Sequence, residues 1–265
     1  MINHLIMDLT FIYPAFNRAN LFRATLESHL VQEGRSEIPY EIVVVDDGSE
    51  DNLFGLVQEY YARFLPIRYI EINVDCLDYP IYKTSTGANN PGPAINTGIR
   101  AAQGTWVVLS SPETILSDSA DLMLLQEFTK QEHYKSTSLL GDVWDDGFQA
   151  FICGGPDHRE FPFLAVYNRS FLIEIGGMEE AYVSGWGFED TEFLNRMKKY
   201  GSLTLFDRRI KGTHQAHPRA EFSEARNAFV RSEAMYKQHE SDPDRKVANL
   251  GHDWGSSNLI VKEWP

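Results

Sequence analysis

Four short apolar runs, each closing on a polar turn, set the limits on this chain's architecture: Leu5 to Tyr13, Glu41 to Val45, Ile67 to Ile72 and Thr105 to Leu109. Continuous runs of this length, without polar alternation, belong to strands covered on both faces. After the first run come Pro14 and Asn17-Arg18, and then Phe22, Leu26 and Leu30 at helical spacing. The second run closes on Asp46-Asp47-Gly48-Ser49, and Asn52 to Phe64 and Pro91 to Gln103 read as the next helices. Strands alternating with helices predict an α/β protein with a mostly parallel sheet and helices on both faces. In such sheets ligands bind beyond the carboxyl ends of the strands. That rule brings Asp46-Asp47 and Ser111-Pro112-Glu113 to one crevice.

From Asn73 to Asn90 the regularity is lost, over a length that marks a functional loop. The second half is more mixed. Ser117 to Glu132 reads as a helix, Phe148 to Cys153 and Phe163 to Tyr167 as short strands, and Arg169 to Ile175 as a helix ending at Gly176-Gly177. Gly185-Trp186-Gly187-Phe188 leads into a helix over Glu189 to Tyr200, acidic at its start and basic at its end, as the helix dipole favours. Ser202 to Phe206 reads as an edge strand, and Ile210 to His217 carries two histidines. The expected organisation is one compact unit with a regular first part over residues 1–115, a mixed second part over 116–220, and a helical or loop extension over 221–265.

The 24 Lys and Arg against 38 Asp and Glu leave a formal net charge of −14. That balance disfavours a nucleic acid partner and anionic lipid surfaces. A small diphosphate remains possible, because a bound cation or a local basic side chain neutralises its charge. Cys76 and Cys153 are too few for a disulfide framework or a Cys-rich zinc site. The N-terminal apolar run is too short to span a bilayer and lacks the marks of a signal peptide, so a cytoplasmic protein, at most peripheral to a membrane, is expected.

Three motifs occur in order: Pro14-Ala15-Phe16-Asn17-Arg18 after the first strand, Val43-Val44-Val45-Asp46-Asp47-Gly48-Ser49 after the second, and Gly185-Trp186-Gly187-Phe188-Glu189-Asp190 before a helix. Together they resemble the GT-A glycosyltransferases, particularly glycosyltransferase family 2, over roughly Leu5 to His217. The resemblance implies a Rossmann-like nucleotide-binding half fused to a smaller mixed acceptor-binding half. It implies a donor site over the first strand ends, where Asp46 or Asp47 holds the base or ribose. Pro14, Phe16, Asn17, Arg18 and Ser111 would lie beside it. Arg18 is either a phosphate ligand or a solvated first-turn side chain. Asn96 and Gly98 match the Asn and Gly that precede the metal strand in this family, which implies packing with limited donor contact.

The family's Asp-X-Asp metal motif falls on Ser111-Pro112-Glu113, a departure that leaves Glu113 as the single acid. His214, or else His217, would complete a Mn²⁺ or Mg²⁺ site, weak or dependent on the donor. The resemblance assigns the catalytic base to Asp190, with Glu189 hydrogen-bonding acceptor hydroxyls. Trp186 and Gly187 would form an acceptor platform, or Trp186 is simply a core residue.

The activity so implied is inverting transfer from a nucleoside-diphosphate sugar, a uridine one first, to a hydroxyl of a glycan or glycoconjugate. The alternative is a sugar-binding relic silenced when Asp-X-Asp became Ser-Pro-Glu. A nucleotidyltransferase lacks its Gly-rich triphosphate loop here, and a dinucleotide-binding dehydrogenase lacks a glycine in the first strand-to-helix turn. The transferase reading requires Asp46, Glu113 and Asp190 to surround a single cleft.

Overall fold

The computed structural model describes residues 7–84, 90–218 and 222–265, with side chains left aside at 222–224. Leu5 and Ile6, the start of the first expected strand, lie outside the described residues, as does part of the expected loop at 85–89.

The first half alternates as expected. Strand β1 (Leu9–Ala15) leads to helix α1 (Ala19–Leu30), β2 (Tyr40–Asp46) to α2 (Leu53–Ala62), β3 (Ile67–Ile72) to α3 (Gly92–Ala101), and then comes β4 (Trp106–Ser110). Strands β3, β2, β1 and β4 lie side by side and parallel. Every residue of β2 is buried, and its side chains divide between two apolar clusters. Ile42 and Val44 join the larger core with Leu53 and Leu56 of α2, while Val43 and Val45 pack with Ala94 of α3. A strand sandwiched in this way needs an unbroken apolar run, which is why β2 shows no alternation.

The second half adds β5 (Thr114–Leu116), α4 (Asp121–Thr129), β6 (Thr137–Asp145), β7 (Ala150–Cys153), β8 (Leu164–Asn168), α5 (Arg169–Glu174), α6 (Glu189–Tyr200), β9 (Leu203–His214), α7 (Phe222–Ser241) and β10 (Ile260–Trp264). Strand β8 runs antiparallel to β4 and carries the sheet on to β6, β9 and β5. At the far side β10 pairs antiparallel with β3.

Three expectations change here. The helix placed at Ser117 to Glu132 is shorter, because Asp121 accepts the Asp118 amide and a turn occupies the residues before it. The expected edge strand Ser202 to Phe206 is the first part of the longer β9, which bulges and continues along β6 to His214. Its second half is sandwiched between β6 and β5. The tail was expected to hold only helix and loop, yet Trp264 of β10 packs edge-on against Phe54 and Tyr61 of α2. Among the described residues no helix is long and apolar enough to cross a membrane.

Candidate active site

Strands β1 and β4 end beside one another, and the chain beyond them opens a cleft of about 280 Å³. Its walls include Pro14, Phe16 and Arg18 from the first turn, Ser111, Pro112 and Glu113 beyond β4, Pro91 and Ile95 of α3, and Glu189 and Asp190 at the start of α6. Of the three groups expected around one cleft, Glu113 and Asp190 line it, together with Arg18. Asp46 does not. It is 2% exposed, its Oδ1 accepts the Ser49 amide at 2.8 Å, and its Oδ2 accepts the Tyr69 hydroxyl at 2.6 Å. Both oxygens are occupied in shaping the turn. Asp47 instead lines a neighbouring depression of about 590 Å³ with Gly48, Glu71, Asn73 and Lys83, and Phe16 borders both spaces.

Asn17 is also structural. It adopts a left-handed backbone, φ 52°, and its Oδ1 accepts the Glu50 amide at 2.7 Å, which ties the first turn to the second. Asn96 is buried and its amide group is fully engaged: Nδ2 donates to Met178 O and Glu180 Oε1, both at 2.9 Å, and Oδ1 accepts the Met178 amide at 2.8 Å. It reaches the cleft only through Met178, one of the lining residues. Asn96 thus holds the Met178 backbone behind the cleft, and Asp46 and Asn17 both hydrogen-bond within the turns that follow β1 and β2.

Glu189 and Asp190 enter the cleft from a strained start to α6. Phe188 carries φ 71°, and its ring stacks on Tyr236 of α7. Gly185 has no room for a side chain, since a Cβ there would lie 2.1 Å from Ser232 Oγ. Gly187 takes φ 76°, a conformation glycine adopts without steric penalty. Trp186 lies against Phe229 of α7 at 6.2 Å between centroids and is not among the residues lining the cleft, so the glycines serve the packing of this loop on α7.

Burial, followed by the charge of Asp190, raises Glu189 to about 7, and the neighbouring Asn90 amide only partly offsets this. Among the described residues Glu189 Oε2 is buried with no hydrogen-bond partner. Burial raises Asp190 too, opposed by the Thr191 amide, which donates to Asp190 Oδ1 at 2.7 Å. Two carboxyls in one desolvated place resist ionising together.

Across the cleft, Arg18 Nε donates to Glu113 Oε1 in an ion pair. Of the two expected histidine ligands, His214 turns its Nδ1 toward Asp145 Oδ2 at 3.5 Å, across the β6–β9 register. His217 faces Glu113 instead, with Nε2 3.8 Å from Oε1. Its Nδ1 lies 2.8 Å from Pro218 O, and a carbonyl only accepts, so Nδ1 carries a hydrogen and Nε2 is the nitrogen turned toward Glu113. A carboxylate oxygen and an imidazole nitrogen are both ligand types for a divalent cation, and an ion bound by both with bonds of about 2.1 Å would draw them closer than they now lie. Among the described residues no group of three His, Cys, Asp or Glu is arranged to hold a metal ion. By position, His217 lies beside Glu113 and His214 beside Asp145.

Sequence reasoning did not find Asn90, Pro162, Phe163 or Met178 as parts of this site. Only Asn90 had a signal, as the last residue of the irregular loop before α3.

Comparison with known proteins agrees with this architecture. The family model described as glycosyl transferase family 2 matches residues 10–135, and that described as the N-terminal domain of galactosyltransferase matches residues 158–215. The chain is 27% identical to the chondroitin synthase of Pasteurella multocida (strain Pm70), over 84% of this chain and 26% of that protein. It is 34% identical to the succinoglycan biosynthesis protein ExoO of Rhizobium meliloti (strain 1021), over 44% of this chain and 29% of that one. It therefore spans about a quarter of the length of these relatives. Among solved structures, S. aureus TarS 1-349 in complex with UDP superposes with a TM-score of 0.60 at 19% identity, covering 88% of this chain and 70% of that one. The mannosyltransferase PcManGT from Pyrobaculum calidifontis, in complex with GDP-Man and Mn²⁺, gives 0.59 at 16%, covering 87% and 64%. The fold is that of the GT-A glycosyltransferases. By sequence, residues 10–135, a little under half of the chain, resemble glycosyl transferase family 2.

Proposed function

We propose that this chain transfers a sugar from a nucleoside diphosphate, UDP first among the candidates, to a hydroxyl of a glycan or glycoconjugate, with inversion at the sugar carbon. The observation that carries the reading is the cleft in which Glu113 and Arg18 face Glu189 and Asp190. One side offers groups for a diphosphate; the other offers groups for an alcohol. The nucleoside would lie in the depression beside Asp47, with the diphosphate passing Phe16 into the cleft. The likeness to a UDP-bound structure and to polysaccharide-forming relatives supports this choice of donor and acceptor.

In the reaction, Asp190 takes the acceptor proton while Glu189 holds an acceptor hydroxyl. Asp190 Oδ1 is fixed by the Thr191 amide, and among the described residues Oδ2 makes no hydrogen bond, so it is the oxygen that receives the proton. Burial raises both groups and the charge of Asp190 adds to the rise of Glu189, so Glu189 is the member of the pair assigned to keep its proton and act as a donor. With Asp190 and the departing diphosphate on opposite sides of the sugar carbon, transfer would invert that centre in a single displacement. Glu113 and His217 would hold a Mn²⁺ or Mg²⁺ ion together with the diphosphate oxygens. When bound, that ion stabilises the charge growing on the departing diphosphate. Residues 1–115 would then serve the donor, 116–220 the acceptor and catalysis, and 221–265 would brace both.

The test is a panel of UDP- and GDP-sugars, each offered with Mn²⁺ and a set of oligosaccharide acceptors, and read for release of nucleoside diphosphate. Turnover with at least one pair is expected. Nucleotide binding without any turnover across the panel would instead identify a binding relic.

A further inference from the structure

The Arg18 guanidinium and a divalent ion compete for one carboxylate oxygen. Glu113 Oε1 receives the Arg18 Nε–H, and it is the same oxygen that faces His217 Nε2 at 3.8 Å. The acid is nearly buried, with a side chain 9% exposed, while the arginine is 31% exposed and, among the described residues, is tethered otherwise only by Nη1 to the neighbouring Asn17 O at 3.3 Å. A cation bound between Glu113 and His217 would stand against the positive Arg18 head, and two positive groups on one low-dielectric carboxylate repel. We infer that Arg18 is the resident counter-ion of Glu113, excluding the metal while no donor is bound and moving onto the donor diphosphate when metal and nucleotide arrive together.

The chemistry of the chain supports this exchange. With Ser111 and Pro112 in place of an acid, a metal finds two protein ligands here rather than three among the described residues, so a single competing cation weighs heavily. Arg18 sits at the start of α1 with its partly exposed side chain in the wall of the cleft, and its remaining N–H groups match the fork of phosphate oxygens. Displacement from Glu113 therefore frees the guanidinium where the diphosphate arrives. Metal and nucleotide become mutually dependent, each supplying what the other displaces. The inference rests on the donor-site reading given above and adds to it the identity of the gate.

The experiment compares the wild-type chain with Arg18→Met and Arg18→Lys. Mn²⁺ alone is titrated and free ion read by electron paramagnetic resonance, and UDP is titrated calorimetrically in EDTA and in Mn²⁺. Arg18→Met should bind Mn²⁺ alone about five- to tenfold more tightly than wild type, and should bind UDP in EDTA about tenfold more weakly. Arg18→Lys, which keeps the charge, should stay within about twofold of wild type for Mn²⁺ alone. Circular dichroism melts establish that each variant is folded, which a partly exposed position permits. Unchanged or weaker Mn²⁺ binding in Arg18→Met, or no Mn²⁺ binding in either protein while wild type binds UDP with Mn²⁺, overturns the inference and leaves the donor site standing. Failure of wild type to bind UDP or GDP under any condition removes the donor-site reading itself, and the inference with it.

Discussion

Replacing Arg196 with Met perturbs the anchor of α6, the helix that delivers Glu189 and Asp190. Arg196 is 1% exposed and Glu192, one turn earlier, is 2% exposed. The guanidinium donates to Glu192 through Nε at 2.9 Å and Nη2 at 3.0 Å, and to Ile175 O and Gly177 O at 2.8 Å each. Removing one partner of a buried ion pair destabilises by about 3 to 5 kcal/mol, since the other is left charged and dry. Arg245 Nε at 3.6 Å from Glu192 Oε1 supplies part of the missing charge, which places the ionic loss at the low end, about 3 kcal/mol. Gly177 O loses its donor, which adds roughly 1 kcal/mol less what Met recovers in packing, while Ile175 O still accepts the Ala248 amide at 2.9 Å. At about 2 to 4 °C per kcal/mol for a chain of this size, the melting temperature should fall by roughly 10 °C. Differential scanning calorimetry measures it. The double variant Arg196→Met with Glu192→Met should recover a substantial part of the loss, because no lone charge remains. A single variant melting within about 2 °C of wild type, or a double variant less stable than the single, would refute the reasoning.

Three further outcomes are expected. His29 is buried against Tyr13, whose hydroxyl lies 2.8 Å from Nε2, and burial pushes the imidazole down to about 3. The folded state thus takes up the proton less readily than the unfolded chain, so stability is lost as pH falls below the unfolded value of about 6.5; a ring resonance that titrates above about pH 5 by NMR would contradict this. Gly177→Ala puts a Cβ 2.3 Å from Asn96 Oδ1 at φ 63°, breaking the Asn96 to Met178 pairing, and should destabilise by about 2 kcal/mol or more, read by denaturant titration; a change under about 0.5 kcal/mol would mean the loop adjusts freely. Glu189 is raised in the folded state, so folding holds its proton and stability declines as pH rises from the unfolded value through the raised one. Glu189→Gln removes that decline, and the melting temperature of the variant relative to wild type should climb between about pH 5 and pH 8; a constant difference would argue against the coupled pair.

The elements legible in the sequence are those whose residues answer one uniform environment. Strands β1, β2 and β4 are buried on both faces and so are unbroken apolar runs, and α6 carries its acidic start and basic end openly. Strand β6 stays hidden because Gly141 and Asp142 interrupt it, and Gly141 is there for contact with β9, remote in the sequence: a Cβ would lie 2.7 Å from Ile210 Cγ2. Strand β10 alternates along Ile260–Trp264 but is too short to stand out from a polar tail. In the site, Glu113 and Asp190 reach the same cleft as the motifs implied. The choice between Asp46 and Asp47, and between His214 and His217, depends on partners no local pattern reveals: Tyr69 closes off Asp46, and Asp145 draws His214 away. The pairing of Arg18 with Glu113 across 95 positions is of the same kind.

The division of labour across the cleft is tested most directly by measuring nucleotide binding and sugar transfer together in Asp190→Asn. Transfer should fall about 10² to 10⁴-fold, the usual contribution of a positioned base, while affinity for UDP in Mn²⁺ stays within about threefold of wild type. Turnover by this variant near the wild-type rate, or a loss of nucleotide binding alongside the loss of transfer, would contradict the assignment of donor and acceptor chemistry to opposite walls.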